Sequence, residues 1–278
     1  KDMAALEKAT QQGCDINIRG TVNDQGDFTP LMWAIHQKNR PAVEWLLARG
    51  ARVNFPPPEY GPFFLPPLLL AMETGDVTIA DALLKAGAQP NITFSVEESQ
   101  DCWNCYEDIT YLHAVFSAGS QGDSLFRIPG LLIRHGAAVN AKNGSGQTPL
   151  DYAASEGNLQ YMEFLLRHGA KPEDKDRAAI VAAATRSKYE AVSMLVKTGV
   201  SKTKATEALL ACIDCCGDGF GASISAEDRL KTAEILLKNG ADMQLKAANL
   251  HEEMTTVRTS RMLLFRPFIA EMLVEKGY

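Results

Sequence analysis

Pairs of apolar residues recur along this chain just ahead of a glycine. Leu46-Leu47-Ala48-Arg49-Gly50-Ala51-Arg52-Val53-Asn54 and Leu83-Leu84-Lys85-Ala86-Gly87-Ala88-Gln89-Pro90-Asn91 carry the phrase in one register, and it returns from Leu132 to Asn140, Leu165 to Ala170 and Leu236 to Asp242. Weaker copies end at Gly13, Gly199 and Gly277, which makes eight glycines separated by 37, 37, 49, 33, 30, 41 and 37 residues. A unit of about 33 residues with insertions fits this spacing. Each phrase predicts the end of an amphipathic helix: the apolar pair faces a core and the glycine closes the helix in the left-handed conformation.

A second pattern lies upstream within the units. Thr29-Pro30-Leu31-Met32-Trp33-Ala34 and Thr148-Pro149-Leu150-Asp151-Tyr152-Ala153 place a hydroxyl where it can cap a helix, and a proline at the first helical position, where the missing N–H costs nothing. Pro66-Pro67-Leu68-Leu69-Leu70-Ala71 and Thr110-Tyr111-Leu112-His113-Ala114-Val115 are eroded copies. Each unit therefore reads as turn, helix, helix, glycine.

With both halves recurring in register over nearly the whole chain, the sequence resembles the ankyrin-repeat family. The resemblance implies an all-α solenoid of stacked helix pairs with β-hairpin fingers and, here, long loop insertions. The expected organisation is one domain over 1–278, with units ending near 17, 54, 91, 140, 173, 201, 244 and 278. Its first unit is only a second helix, Met3 to Gln12, and its last, from Leu250, is a degenerate cap whose polar face carries Arg258, Arg261 and Arg266.

Four insertions depart from a minimal array, and such segments carry function more often than stacking. The proline-rich run from Phe55 to Phe64 holds Tyr60 and Phe63 on a stiff strut. Thr93 to Asp108 reads as an acidic loop with Glu97, Glu98 and Asp101 around Cys102-Trp103-Asn104-Cys105-Tyr106. Aromatic anchors among carboxylates suit a contact with a basic partner, although a solvated loop whose Trp103 folds back on the stack is the plainer alternative. Ser117 to Ile128 and the glycine-rich run from Cys216 to Ser225 read as lengthened turns. The latter lacks the closing lysine of a phosphate loop and the carboxylate spacing of a calcium loop.

Composition narrows the function. The 278 residues carry a net charge of -6 and a pI near 5.5, which argues against nucleic acid or an anionic bilayer as partner. No apolar run nears the ~20 residues of a membrane span, so a soluble chain is expected. It begins at Lys1 rather than Met, as if a leader had been trimmed. Of six cysteines, the Cys102/Cys105 and Cys212/Cys215 pairs lie about three repeats, or roughly 25 Å, apart, too far to share a metal. Cys102 and Cys105 are a disulfide candidate, which points to a periplasmic or secreted location. Cys212 reads as a buried structural thiol. His113 occupies the repeat's own histidine position, while His135 and His168 sit in last helical turns. No catalytic constellation, metal site or cofactor is expected.

Ankyrin-type stacks usually hold partners along the fingers and first helices, so the resemblance implies contact residues at matching positions. These are His36 and Gln37, Glu73 and Thr74, Ser155 and Glu156, and Thr185 and Arg186, all expected to be exposed. Trp33 faces the same groove or its edge, and Tyr60, Phe63, Trp103 and Tyr106 add aromatic area. The expected function is non-catalytic protein binding, with another protein as partner. The phrasing of the second repeat also resembles bacterial periplasmic ankyrin proteins of the toxin-immunity type, which neutralise lipase toxins and so imply an inhibitor or immunity protein. A general scaffold, or a host-directed effector acting in a cytoplasm, is the alternative.

Overall fold

The computed structural model describes residues 3–21, 27–55, 66–97, 106–114, 124–173, 178–214 and 225–242. Two compact units divide the chain, Lys1–Gly146 and Gln147–Tyr278.

The first unit opens with α1 (Met3–Gln11) and a small antiparallel hairpin, β1 (Gly20–Thr21) with β2 (Asp27–Phe28). Two helix pairs follow, α2 (Pro30–His36) with α3 (Arg40–Ala48) and α4 (Pro67–Thr74) with α5 (Val77–Lys85). A second antiparallel hairpin, β3 (Thr93–Glu97) with β4 (Tyr106–Thr110), leads into α6 (Tyr111–Ala114) and α7 (Ser124–Arg134). First helix packs on first helix, α2 on α4, and second on second, α3 on α5 and α5 on α7.

The second unit repeats the scheme with three pairs. They are α8 (Pro149–Glu156) with α9 (Leu159–Arg167), α10 (Ala179–Thr185) with α11 (Tyr189–Val196), and α12 (Lys202–Asp214) with α13 (Ala226–Lys238). Here α8, α10 and α12 pack in series, as do α9, α11 and α13.

Local chemistry explains the boundaries. Thr29 and Thr148 cap their helices through side-chain oxygens that accept from Met32 N and Asp151 N, each followed by proline. At Thr148 the cap is reciprocal, since Thr148 N donates to Asp151 Oδ2 at 2.8 Å. The glycine phrase closes each helix with two crossed bonds. Ala51 N donates to Leu46 O and Gly50 N to Leu47 O, and the same pair recurs at Gly87, Gly136, Gly169 and Gly240, each glycine having φ between 82° and 92°. Only the first apolar residue of each pair is buried throughout: Leu46, Leu83, Leu132, Leu165 and Leu236 are at most 1% exposed, whereas Leu47, Ile133, Leu166 and Leu237 are half-buried. The alanine after each glycine is buried as well. First helices approach closely because Ala34, Ala71, Ala153 and Ala183 fill the contact.

The asparagine that ends the phrase stitches units together. Asn54 accepts from Gln89 N at 2.9 Å and donates to Gly87 O at 2.7 Å; Asn91 does the same with Ala138 N and Gly136 O. Asn17 accepts from Arg52 N at 2.7 Å. Each asparagine thus satisfies backbone groups in the following helix-closing turn.

Three sequence expectations need correction. The segment from Thr93 to Asp108 is half hairpin rather than loop, with Thr93 paired to Thr110 and Glu97 to Tyr106. The insertion from Ser117 to Ile128 gives way to helix at Ser124, where Ile128 already faces the core at 3% exposure. Ser155 is buried at 7%, not exposed, because its hydroxyl turns back to donate to Tyr152 O at 2.9 Å. Cys212 is buried as expected, with Ser187 Oγ and Arg229 O about its sulfur.

Candidate functional site

The expected contact positions divide between the two units, and each set has its own geometry. In the first, Phe28 comes from the hairpin and Trp33 and His36 from α2, one helical turn apart. Their rings meet: Trp33 and His36 stack with centroids 5.4 Å apart and 12° between planes, and Phe28 stands edge-on to both at 5.8 and 5.9 Å. Phe28 and Trp33 are half-buried, and His36 is exposed. Gln37 Nε2 lies 3.3 Å from His36 Nδ1.

Glu73 occupies on α4 the register that His36 occupies on α2, seven residues into a helix that opens with proline. Its surface is exposed, yet the neighbouring structure withdraws its carboxyl from water, and this desolvation raises its pKa against the attraction of His36. It has no hydrogen-bond or ion-pair partner among the described residues. Thr74, beside it, is committed to Ala71 O at 2.9 Å.

In the second unit two charges one position further along the row compensate one another. Arg186 Nη1 lies 3.1 Å from Glu156 Oε1, with both side chains well exposed. Thr185 donates to Val181 O at 2.8 Å. Together with the buried Ser155, this leaves the second unit's row largely satisfied within itself.

Glu97 and Tyr106 are strand residues facing each other in the register of β3 and β4. Tyr60, Phe63, Glu98, Asp101, Cys102, Trp103 and Cys105 lie outside the described residues. Phe28 escaped the sequence reading, because a hairpin residue five positions from Trp33 gives no periodic sign that it meets the helix.

Groups that could suggest chemistry have structural tasks. His113 is 1% exposed, and Thr110 N donates to its Nδ1 at 3.3 Å with Thr110 Oγ1 2.9 Å away, so that nitrogen acts as an acceptor inside the repeat. Burial alone pushes up the phenols of Tyr111 and Tyr161 in the two cores. An open recess of about 320 Å³ lies at the turns after α2 and α4, with Lys38, Arg40, Asp76 and Arg127 among its walls. There Arg40 is bound to Asp76 at 2.9 Å. Among the described residues no His, Cys, Asp and Glu side chains group as a metal site, and no helix is long and apolar enough to cross a membrane.

A family model of ankyrin repeats, in three copies, matches residues 68–176 and 128–206, and one for a single ankyrin repeat matches residues 26–56. The chain belongs to the ankyrin-repeat family. Ankyrin repeats form protein-binding scaffolds, and the all-α stack of helix pairs is their fold. Ankyrin repeat protein nuc-2 of Neurospora crassa is 33% identical over 195 residues, 68% of this chain but 16% of that protein. A putative ankyrin repeat protein of fowlpox virus, FPV031, is 30% identical over 162 residues, 57% of this chain and 42% of the viral one. In fold, the ankyrin repeat domain of Bcl-3 superposes with a TM-score of 0.56 at 22% identity, covering 77% of this chain and 87% of that domain. These relatives are eukaryotic and viral, and they lend nothing to the resemblance to bacterial periplasmic immunity proteins. The chain spans less than half the length of either curated relative.

Proposed function

We propose that this ankyrin array is a non-catalytic module that recognises a folded protein partner through its hairpin fingers and first helices. The observation carrying this reading is the Phe28, Trp33 and His36 cluster, three rings from a finger and a first helix left accessible beside Glu73. Accessible aromatic anchors are the composition of interface hot spots, and Glu73 beside them has no ion pair among the described residues. The long finger from Thr93 to Thr110 supports a specific partner, with Trp103, Tyr106, Glu98 and Asp101 as its contacts and Tyr60 and Phe63 contributing from the preceding insertion.

Within that role the chain acts as an inhibitor or immunity-type blocker of one secreted enzyme, such as a lipase toxin. Support comes from its family-atypical insertions, since a dedicated blocker needs fingers shaped to one target. A disulfide between Cys102 and Cys105 belongs to this reading. The general scaffold, or an effector in a cytoplasm, is the other reading, favoured by the eukaryotic and viral relatives.

Capture of the partner on immobilised chain from the source cell's extract and secreted fraction, followed by mass spectrometry, tests both. A single hydrolase whose activity disappears in the complex supports the blocker. Several cytoplasmic proteins of unaltered activity support the scaffold, and no captured protein at all sinks the binding module.

A further inference from the structure

We infer that Phe28, Trp33, His36 and Glu73 form a seat for one arginine side chain of the protein partner. The inference rests on the binding-module reading and supplies the chemistry recognised at that face. Three observations converge on it. The stacked rings of Trp33 and His36, with Phe28 edge-on, present an aromatic surface built from two elements and still open to solvent. A guanidinium stacks on such a surface through its planar face, more favourably than a compact ammonium.

Second, Glu73 stands on the adjacent first helix in the register of His36, near enough for their charges to interact. It is a partly desolvated carboxylate without an ion pair among the described residues, whereas Asp81, Glu163, Glu207 and Glu227 each hold a lysine or arginine within 2.8 Å. Removing a carboxylate from water without a partner is unfavourable, and an incoming cation relieves that cost. Third, on the second unit's first-helix row Glu156, in the register of Thr74 and so one position after that of Glu73, is already paired with Arg186 of the next repeat. There the array itself brings a guanidinium to a carboxylate of that row. Among the described residues none reaches Glu73, and there the partner supplies the guanidinium.

The test uses the full chain and three small probes: N-acetyl-arginine methylamide, its neutral citrulline counterpart, and N-acetyl-lysine methylamide. The indole N–H resonance of Trp33, assigned with Trp33→Phe, reports occupancy. A saturable shift with the arginine probe is expected, at least about tenfold weaker with citrulline, weaker with lysine, and weakened about tenfold in Glu73→Gln. A backbone spectrum of Glu73→Gln that otherwise overlays the wild type confirms an intact fold.

Citrulline binding as well as arginine, lysine binding as well as arginine, undiminished arginine binding in Glu73→Gln, or no saturable shift would each overturn the seat. Such a failure is separate from failure of the binding module. Protein captured by a chain that ignores the arginine probe leaves the module standing without the seat, and an arginine response with no captured protein leaves the seat without the module.

Discussion

Asp76 reaches into the preceding repeat to Arg40: its Oδ2 lies 2.9 Å from Arg40 Nε, while its Oδ1 accepts from Thr78 N and Ile79 N at the start of α5. One carboxylate thereby caps its own helix and holds the first residue of the equivalent helix in the preceding repeat. Burial pushes its pKa up, but the Arg40 bond and charge and the two N–H donors outweigh that and hold it below its ordinary 3.8. A carboxylate with a lowered folded pKa contributes stability that is present above the ordinary value and lost as pH falls through the folded one. Asp76→Ala should cost about 2 kcal/mol at neutral pH, and Asp76→Asn, which keeps the cap, only about 0.5 kcal/mol. Urea denaturation of both variants checks the order. Equal losses would place the stabilisation in the ion pair instead.

Glu73 titrates in the opposite sense. Its folded pKa is raised above 4.5, so the folded chain holds the proton more tightly than the unfolded chain, and stability falls as pH rises from 4.5 through the folded value. Glu73→Gln should therefore raise the urea midpoint at neutral pH, with the gain shrinking towards acid pH. A midpoint below wild type at neutral pH would show that the carboxylate stabilises the free chain.

The residue before the cap of each second helix is left-handed in four pairs, at Lys38, Gly75, Gly157 and Ser187. Lys38, at φ 52°, carries a side chain where glycine costs less. Lys38→Gly should stabilise by about 0.5–1 kcal/mol, read from the thermal or urea transition. A loss of stability would mean that the lysine stem packs usefully on the turn.

Asn54 and Asn91 each bridge one helix-closing turn to the next through two hydrogen bonds. Asn54→Ala should cost about 1–3 kcal/mol, and because coupling between neighbouring repeats is what keeps an array cooperative, the unfolding transition should broaden. An unchanged midpoint and width would remove these asparagines from the coupling.

Much of this architecture was legible because its signals are local. Thr29-Pro30 and Thr148-Pro149 cap and start helices within four residues, and each glycine phrase closes a helix within six. The final asparagine was visible in the repeat, but its task was not, since Asn54 acts on backbone 33 and 35 residues away. The second hairpin had a readable sign in the alternation of Thr93-Phe94-Ser95-Val96-Glu97, which the acidic composition of the segment masked. Ser155 was misplaced because register gives a position on a helix but not whether a short hydroxyl folds back on its own backbone. Of the candidate site, Trp33, His36 and Glu73 followed from register, whereas the place of Phe28 and the lack of an ion pair at Glu73 among the described residues depend on contacts between separate elements.

The central claim is that partners are held along the first helices and fingers, and the most direct measurement is affinity for the captured partner across two sets of variants. One set, Trp33→Ala, His36→Ala and Glu73→Gln, lies on the first-helix row. The other, Lys85→Ala and Arg167→Ala, lies on exposed second-helix surfaces. A loss of tenfold or more is expected in the first set, about 1.4 kcal/mol or above, with the second within about twofold of wild type. Binding that survives the first set and fails in the second would contradict it.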